Sequence, residues 1–163
     1  MSGDRLQFRR TDDGAFVAPL ELSYPYARTV GDVLGRFFTS LRDGRIEGTR
    51  GDDGRVFVPP AEFDPMSGAP CTEWVSVAET GTVTTWSWQA PAKPDQPLDH
   101  PFAWALIRLD GADVPLLHAV DAGTPEAIRT GARVAVRWAG ERHGGITDIA
   151  CFDLVAGDVE GAS

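Results

Sequence analysis

Cysteine, lysine and long apolar runs are scarce in this sequence, and each shortage excludes a class of protein. The two cysteines, Cys71 and Cys151, lie far apart, so they do not form the disulfide framework of a small secreted domain. Residues 1–13 are polar and charged, unlike a signal peptide, and no apolar run approaches the ~20 residues that span a membrane. We therefore expect a cytoplasmic protein without a membrane partner.

Positive charge is scarce as well. The net charge is −9, Lys93 is the only lysine, and Arg9 and Arg10 are the only adjacent pair of lysine or arginine residues. A protein that binds nucleic acid normally presents a basic cluster to the phosphates. Because this sequence has no such cluster, we expect no nucleic-acid partner.

What the chain does contain is typical of a globular protein with one well-defined helix. Hydrophobic residues make up 42% and charged residues 24% of its 163 positions. A stripe of apolar residues predicts a helix over residues 30–41, with a capping box of Thr29 and Asp32 before it and a stop at Gly44. The stripe consists of Val30, Val33, Leu34, Phe37, Phe38 and Leu41. Such a stripe either packs on the core of its own domain or docks on another chain.

From residue 55 onward the pattern favours β-strands. Apolar runs predict strands over residues 56–58, 74–78, 83–88, 102–109, 114–120, 134–138 and 146–155, and one helical turn over residues 124–130. A long bent strand, two further strands, a short helix and two last strands match the order of a five-stranded Greek-key barrel of OB type. The predicted fold class is therefore mainly β, with a small β-sandwich as the alternative.

A catalytic constellation is hard to assemble from these residues. No histidine lies near Cys71 in sequence, and Cys151 falls in an apolar strand, where a thiol is usually a small buried side chain. His100, His118 and His143 occupy separate segments without the spacing of a metal site. We expect no catalytic residues and no activity of the chain by itself.

Five tryptophans are many for a chain of this length. Trp86 and Trp88 alternate along one predicted strand, and Trp104 lies on the next one. These side chains either fill the barrel core or, together with His118, line a face that contacts a ligand or a substrate channel. The sequence leaves both interpretations open.

Several segments follow one another in the order of a known family. They are RFFTSLRDGRIEGTR, GRVFVPPAEFDP, EWVSVAETGTVTTWSW, HPFAWALIRLDG and LLHAVDAGTPEAIRTGARVAVRW, within about residues 26–155. In this order they resemble the thiolase-associated, or acyl-CoA-associated, family of domains of unknown function. The resemblance implies an N-terminal amphipathic helix, a rubredoxin-like zinc-ribbon segment and a C-terminal five-stranded OB-type barrel.

The resemblance also implies a division of the chain into parts. It places an N-terminal arm at residues 1–23, a docking helix at 24–45, the ribbon at 46–72, the OB-fold domain at 73–156 and a flexible tail at 157–163. On the docking helix, the residues implied to contact a partner are Val30, Leu34, Phe37, Phe38 and Leu41.

The ribbon lacks the cysteines of the family. The four zinc-binding positions fall on Arg50, Asp53, Asp64 and Ser67, with Gly51 as the alternative to Arg50. A guanidinium cannot bind a metal, and no thiolate or imidazole remains in the set. The chain therefore resembles a metal-free branch with a degenerate ribbon, and we expect neither zinc nor another cofactor bound directly.

In this family the chemistry belongs to a partner. Its members are similar to the small subunits of lipid-transfer-type thiolases and of aldolases that cleave steroid side chains as CoA thioesters. The resemblance implies a non-catalytic accessory subunit, in a two-plus-two hetero-oligomer with a thiolase-fold enzyme that acts on acyl-CoA in steroid or other lipid catabolism. The alternative is a stand-alone OB-fold module that binds acyl-CoA or another small ligand.

Overall fold

The computed structural model describes residues 9–18, 29–90, 93–94 and 96–155. These residues form one α-helix, α1 (Gly31–Arg42), and ten strands. The strands are β1 (Arg9–Arg10), β2 (Phe16–Val17), β3 (Ile46–Arg50), β4 (Val56–Phe57), β5 (Glu73–Val77), β6 (Thr80–Gln89), β7 (Phe102–Leu109), β8 (Leu116–Asp121), β9 (Arg133–Trp138) and β10 (Ile149–Leu154). The predicted tail and most of the predicted N-terminal arm lie outside the described residues. Within those residues, no helix is long and apolar enough to cross a membrane.

The helix α1 forms where the apolar stripe predicts it, but it begins differently. Its N-cap is Val30, and no side chain caps the first turn. The predicted capping box is therefore wrong, because Thr29 lies one position too early to accept a hydrogen bond from the first-turn amides. Asp32 still stands in the first turn, where a negative charge favours the positive end of the helix dipole.

The C-terminal end of α1 is held by two independent contacts. Gly44 takes a φ of +73°, and the amide of Arg45 donates to the carbonyl of Ser40 at 2.9 Å. From a distant loop, the Nε of Arg142 donates to the carbonyl oxygen of Arg42 at 2.8 Å. A cation at this end also favours the helix dipole. The helix is thereby attached to the loop that precedes β10.

The apolar face of α1 turns toward the chain's own core. Phe37 and Leu41 are fully buried there, and Phe38 packs against the same cluster while partly exposed. This packing corrects the prediction that Phe37 and Leu41 dock on a partner, because their side chains have no exposed surface left for another chain. Leu34 is half-buried and Val30 is exposed, so these two stay available.

A three-stranded antiparallel sheet follows the helix, in the order β4-β3-β5. Its central strand β3 escapes the sequence pattern because Ile46 is its single large apolar residue. Gly48 has a steric role in it: a Cβ there would lie 2.4 Å from the carbonyl oxygen of Phe57. Strand β5 pairs with β3 and not with the barrel, so the first residues of the predicted OB-fold domain belong to this sheet.

The five strands β6 to β10 form a closed barrel in the order β10-β8-β7-β6-β9. The neighbours are antiparallel except for β8 and β10, which run parallel. This is the connectivity of an OB barrel. The predicted mainly-β fold with a five-stranded OB-type barrel is thus confirmed, and a two-sheet sandwich is excluded because the barrel closes.

Two details of the barrel differ from the sequence expectation. The segment 124–130 forms no helix; it contains a single turn in which the amide of Ala127 donates to the carbonyl of Thr124 at 3.2 Å. One turn leaves too few hydrogen bonds to stabilise a helix. The last predicted strand begins instead with a short 3-10 turn, Ile146–Asp148, before β10.

One hydrophobic core connects the helix, the three-stranded sheet and the barrel. Its largest fully buried members include Phe37 and Leu41 of α1, Ile46 of β3, and Ile107 and Phe152 of the barrel. Burial of each such side chain contributes about 1.5–3 kcal/mol. The helix and the small sheet are therefore part of the same packed unit as the barrel.

Candidate functional site

A pocket of about 510 Å³ lies where β8 separates from the segment leading into β10. These two strands pair only at Val120 with Phe152 and at Asp121 with Asp153, so their earlier residues are not joined. The pocket is lined by Gln96, Pro97, Trp104, Leu117, His118, Ile146, Thr147 and Ala150. Most of this lining is apolar, and its size is typical of small-molecule sites.

His118 supplies the polar group of this pocket. It is buried, and its Nδ1 atom has no hydrogen-bond partner. Burial lowers the pKa of His118, although the backbone of Ala119 and Ile146 opposes the shift, so the ring is neutral at pH 7. Phe152 holds the ring in an edge-to-face contact at 5.5 Å between centroids. A buried polar atom without a partner is rare in folded proteins and requires an explanation.

The structure brings two of the four predicted ligand-face residues together. Trp104 and His118 line the same pocket. Trp86 and Trp88 do not; they pair with Ala105 and Ala103 and pack against the main core. The small alanines opposite them leave room for the indole rings on the inner face. The contributions of Leu117 and Ile146 were missed, because only the tertiary separation of β8 and β10 places them beside Trp104.

Trp104 is positioned by a small cluster outside the barrel. Its ring packs edge-to-face on Phe102, with 5.2 Å between centroids. Phe102, Ala119 and Cys151 form the buried part of this cluster, and Leu98 packs on it from the loop before β7. The cluster therefore fixes the aromatic wall of the pocket.

A charged cluster occupies the same side of the barrel. Asp121, Cys151 and Asp153 lie within 4.8 Å of one another, as metal ligands would. However, the guanidinium of Arg137 donates to both carboxylates, at 3.0 Å to Asp121 Oδ2 and at 2.9 Å from Nε to Asp153 Oδ2. A cation is thus already supplied by the protein, and the cluster is an ion-pair network.

Burial surrounds the thiol near this network, and two carboxylates hold the nearby imidazole. Burial raises the pKa of the Cys151 thiol to about 11, which keeps it protonated. Both ring nitrogens of His100 lie on carboxylates, at 3.0 Å from Asp99 and 3.1 Å from Asp121, and these contacts raise its pKa.

Of the predicted ribbon positions, Arg50 ends β3, and the other three lie in two loops that approach each other beside the three-stranded sheet. The buried carboxylate of Asp64 accepts the amides of Met66 at 2.7 Å and Ser67 at 3.1 Å in its own loop. Its other oxygen accepts the amide of Asp52 in the opposite loop, at 3.1 Å. These hydrogen bonds, first that of Met66 and then that of Ser67, lower the pKa of Asp64. The hydroxyl of Ser67 adds a second link by donating to Asp52 Oδ2 at 2.9 Å.

The residues at these positions do not fit zinc. Arg50 donates to Glu73 at 2.9 Å and to the carbonyl of Gly54 at 2.9 Å, and Asp53 pairs with Arg55. The Asp64 carboxylate is fully engaged with backbone amides. No thiolate or imidazole is among them, and carboxylate, hydroxyl and guanidinium together do not make a tetrahedral zinc site.

The fold defines the class of protein as an OB-fold protein with an additional helix and small sheet. Residues 74–139 match the family model described as the C-terminal OB-fold domain of ChsH2. This match confirms the family resemblance seen in the sequence for the OB-fold domain. No curated protein matches the chain significantly.

Two solved structures share the fold over most of the chain. A chain of the Ltp2–ChsH2(DUF35) aldolase matches with a TM-score of 0.56 at 18% identity, over 78% of this chain and 97% of that one. A DUF35-family protein of unknown function from Sulfolobus solfataricus matches with a TM-score of 0.55 at 20% identity, over 77% of this chain and 83% of that one. At these identities the likeness shows the fold alone.

Proposed function

We propose that this chain is a non-catalytic accessory subunit of a thiolase-fold enzyme, either a thiolase or a retro-aldolase. The observation that carries the proposal is the shared fold with a chain of the Ltp2–ChsH2(DUF35) aldolase, which extends over nearly the whole of that chain. The match of residues 74–139 to the ChsH2 OB-fold domain supports it independently. In this proposal the partner carries the reacting groups and the present chain completes the assembly.

The chemistry of the described residues supports a non-catalytic role. Burial raises the pKa of both cysteine thiols, at Cys71 and at Cys151, so neither is an activated nucleophile. The neutral His118 has no hydroxyl, thiol or carboxylate hydrogen-bonded to Nδ1. Nucleophilic catalysis needs such a pair within hydrogen-bond reach.

We place the partner contact at the start of α1 and the loop after β4. Val30, Phe63 and Met66 are exposed apolar side chains there, with Met66 80% exposed. The two segments are adjacent, since a Cβ on Gly31 would lie 3.4 Å from Glu62 Oε1. A cluster of exposed apolar side chains on adjacent segments is typical of an interface. The proposed contact surface continues along α1 to Leu34 and the exposed part of Phe38.

The interpretation of residues 46–72 as a degenerate zinc ribbon belongs to this proposal. Two loops that face each other beside a small sheet support it, and so does the Asp64 carboxylate that joins them. In this interpretation the ribbon is kept for docking after the metal has been replaced by hydrogen bonds. We propose neither zinc nor another directly bound cofactor.

The test is purification of the tagged chain from its native source, with mass spectrometry of co-purifying proteins. A stoichiometric thiolase-fold protein supports the proposal, and a chain recovered alone contradicts it. Met66→Asp should abolish recovery of that partner without unfolding the chain, because Met66 makes little contact with its own fold. Val155→Asp, at the exposed end of the barrel, is the matched control and should leave recovery unchanged.

The substrate and setting follow from the same proposal. The purified assembly should act on acyl-CoA thioesters, such as intermediates of steroid side-chain or other lipid catabolism, in the cytoplasm. We propose a two-plus-two hetero-oligomer, which light scattering of the assembly tests directly. Turnover that is equal with and without this chain would contradict an accessory role.

A second candidate, a stand-alone OB-fold module that binds a small ligand, is favoured by the pocket at Trp104 and His118. A monodisperse monomer that binds acyl-CoA, or another small molecule, with no partner in the native source would support this candidate instead.

A further inference from the structure

We propose that His100 is a pH-sensitive switch that holds the segment before β7, residues 96–100, against the end of β8. As an imidazolium it bridges the segment and the strand, and on losing its proton it releases the segment. This segment forms one wall of the pocket between β8 and β10 through Gln96 and Pro97. The inference does not rest on the accessory role, since every group in it belongs to this chain.

The imidazole of His100 has a carboxylate at each ring nitrogen. Its Nδ1 lies 3.0 Å from Asp99 Oδ1, and its Nε2 lies 3.1 Å from Asp121 Oδ1 at the end of β8. An ionised carboxylate only accepts hydrogen bonds, and a neutral imidazole carries one N–H where the imidazolium carries two. Both contacts are therefore hydrogen bonds only while the ring is charged. In the neutral ring, one nitrogen lone pair faces a carboxylate.

Asp121 joins His100 to the barrel through an oxygen that Arg137 does not use. The side chain of Asp121 is 19% exposed, and its Oδ2 accepts Nη1 of Arg137 at 3.0 Å. The Nε and Nη2 atoms of Arg137 donate to Asp153 on β10. All three guanidinium nitrogens are thus engaged with oxygens other than Asp121 Oδ1. Within this network, that oxygen depends on His100 for its hydrogen bond.

The other titratable groups around His100 keep one charge state near neutral pH. The charged side chains that face it, directly or through Asp121, belong to its own segment and to three strands: Asp99, Asp121, Arg137 and Asp153. Carboxyl groups ordinarily titrate near about pH 4 and guanidinium groups above about pH 12. The neighbouring Cys151 thiol, whose pKa burial raises to about 11, stays protonated. The charge that changes near neutral pH is therefore that of His100.

The direction of the switch follows from the same contacts. Hydrogen bonds to Asp99 and then to Asp121 raise the pKa of His100 above its ordinary value of 6.5. A group with a raised pKa in the folded state contributes stability that is complete below the unfolded value and is lost as the pH rises through the folded value. The segment should therefore be held below pH 6.5 and be released as the pH rises through the higher pKa of the folded state.

An apolar contact next to His100 limits the size of the effect. Leu98 of the same segment packs against the buried cluster that includes Phe102 and Cys151, and this contact is the same at every pH. The side chain of His100 is 45% exposed, so water screens its ion pairs. We expect the ratio of open to closed segment to rise about two- to fivefold when the ring loses its proton, the effect of one exposed ion pair.

The test follows the full chain by NMR from about pH 5.5 to 8.5, the range in which histidine titrates. The imidazole shifts of His100 give its pKa, and relaxation dispersion at the methyl groups of Leu98 gives the ratio of open to closed segment. We expect a pKa of His100 above 6.5, and a ratio that rises with the same midpoint. A pKa at or below 6.5, or a ratio that does not change with pH, would overturn the proposal.

Two variants separate His100 from general effects of pH. His100→Gln keeps a donor and an acceptor but no titratable charge, so the ratio of open to closed segment should become independent of pH. His143→Gln removes another imidazole, one that is 81% exposed in the loop before β10, and should keep the pH dependence of the wild type. A pH dependence that survives in His100→Gln, or disappears in His143→Gln, would contradict the assignment to His100.

Discussion

The small sheet and the barrel differ in what a buried aspartate beside each of them connects. Asp64, next to the sheet, and Asp148, just before β10, each accept hydrogen bonds from three backbone amides, but the two carboxylates connect different parts of the chain. Asp148 accepts the amides of His143, Gly144 and Gly145, all within five positions of it, at 2.8–3.3 Å. Asp64 accepts two amides of its own loop and a third from Asp52, twelve positions away. The first carboxylate shapes one loop, whereas the second joins two loops.

The difference reflects how much apolar surface each region buries. The barrel interior is filled by large side chains such as Phe152, Ile107 and Val120, so Asp148 has only to shape the loop that carries Arg142 to the end of α1. The small sheet has short strands, and its outer loops contain few buried apolar residues. Where little apolar surface is buried, a polar group that connects distant amides stabilises the loops, as disulfides or metals do in small domains.

The largest effect should come from the core that both regions share. Phe152→Ala removes a fully buried ring and should lower the free energy of unfolding by about 3–5 kcal/mol in urea titrations. Because α1 and β3 belong to the same core, fluorescence and far-UV circular dichroism should report one transition. A separate unfolding transition of the small sheet would contradict the shared core, since that region would then be stable by itself.

A methyl group placed against Asp64 should have the next largest effect. A Cβ on Gly51 would lie 2.1 Å from Asp64 Oδ2, so Gly51→Ala must displace the carboxylate or the loop. We expect a loss of about 1–3 kcal/mol in the free energy of unfolding, measured in the same titrations. Gly140→Ala is the control, because a Cβ there meets nothing within 4 Å. An unchanged stability in Gly51→Ala would mean that the two loops are not joined as described.

Neutralising each aspartate should sharpen the comparison directly. In Asp64→Asn, hydrogen exchange should accelerate in both loops, at Asp52 as well as at Met66 and Ser67. In Asp148→Asn it should accelerate only at residues 143–145. The change in global stability should be smaller than for Gly51→Ala, because asparagine keeps one acceptor oxygen. Faster exchange confined to residues 66–67 in Asp64→Asn would contradict the link between the loops.

The pH dependence of the same exchange rates follows from the pKa shifts. Backbone hydrogen bonds lower the pKa of Asp64, and at Asp148 they outweigh the opposing effect of burial. A lowered pKa in the folded state gives stability that is present above the unfolded value of 3.8 and is lost as the pH falls through the folded value. Protection of these amides from hydrogen exchange should therefore be lost only below pH 3.8. Around Asp64 it should be lost in both loops over the same pH range.

The smallest effect should come from an exposed ion pair on the barrel. Arg133 donates to both carboxylate oxygens of Asp110, and its hydrogen bonds lower the pKa of that carboxyl to about 2. The two side chains are 35% and 42% exposed, so Asp110→Asn should cost about 0.2–1 kcal/mol, less at high salt. Urea titrations at low and high salt measure this. A salt-independent cost would show that the pair acts through packing.

The barrel strands were largely predictable because their pattern is local. Strand β7 has the predicted limits, since its buried and exposed residues follow from one continuous apolar run. Strand β3 could not be found, because its burial depends on α1 and β4 packing over a segment with one large apolar residue, Ile46. The residue pattern within a segment does not show which other elements will pack over it.

The candidate site was predictable only in part for the same reason. Trp104 and His118 have chemistry that draws attention in any sequence, and both line the pocket. Leu117 and Ile146 are ordinary apolar residues almost thirty positions apart. Their meeting depends on where the parallel pairing of β8 and β10 starts, which is a tertiary property. The role of Asp64 was hidden too, because a single aspartate in a loop usually contacts water.

The parallel pairing of β8 with β10 also sets when the barrel can close during synthesis. Strand β10 is the last barrel strand in chain order, and it pairs with both β8 and β9. Until the ribosome releases it, those two strands keep unpaired edges and the inner faces of the barrel remain open to solvent. A nascent chain that lacks β10 therefore holds at most an open sheet, and in that interval it can associate with other nascent chains or with chaperones.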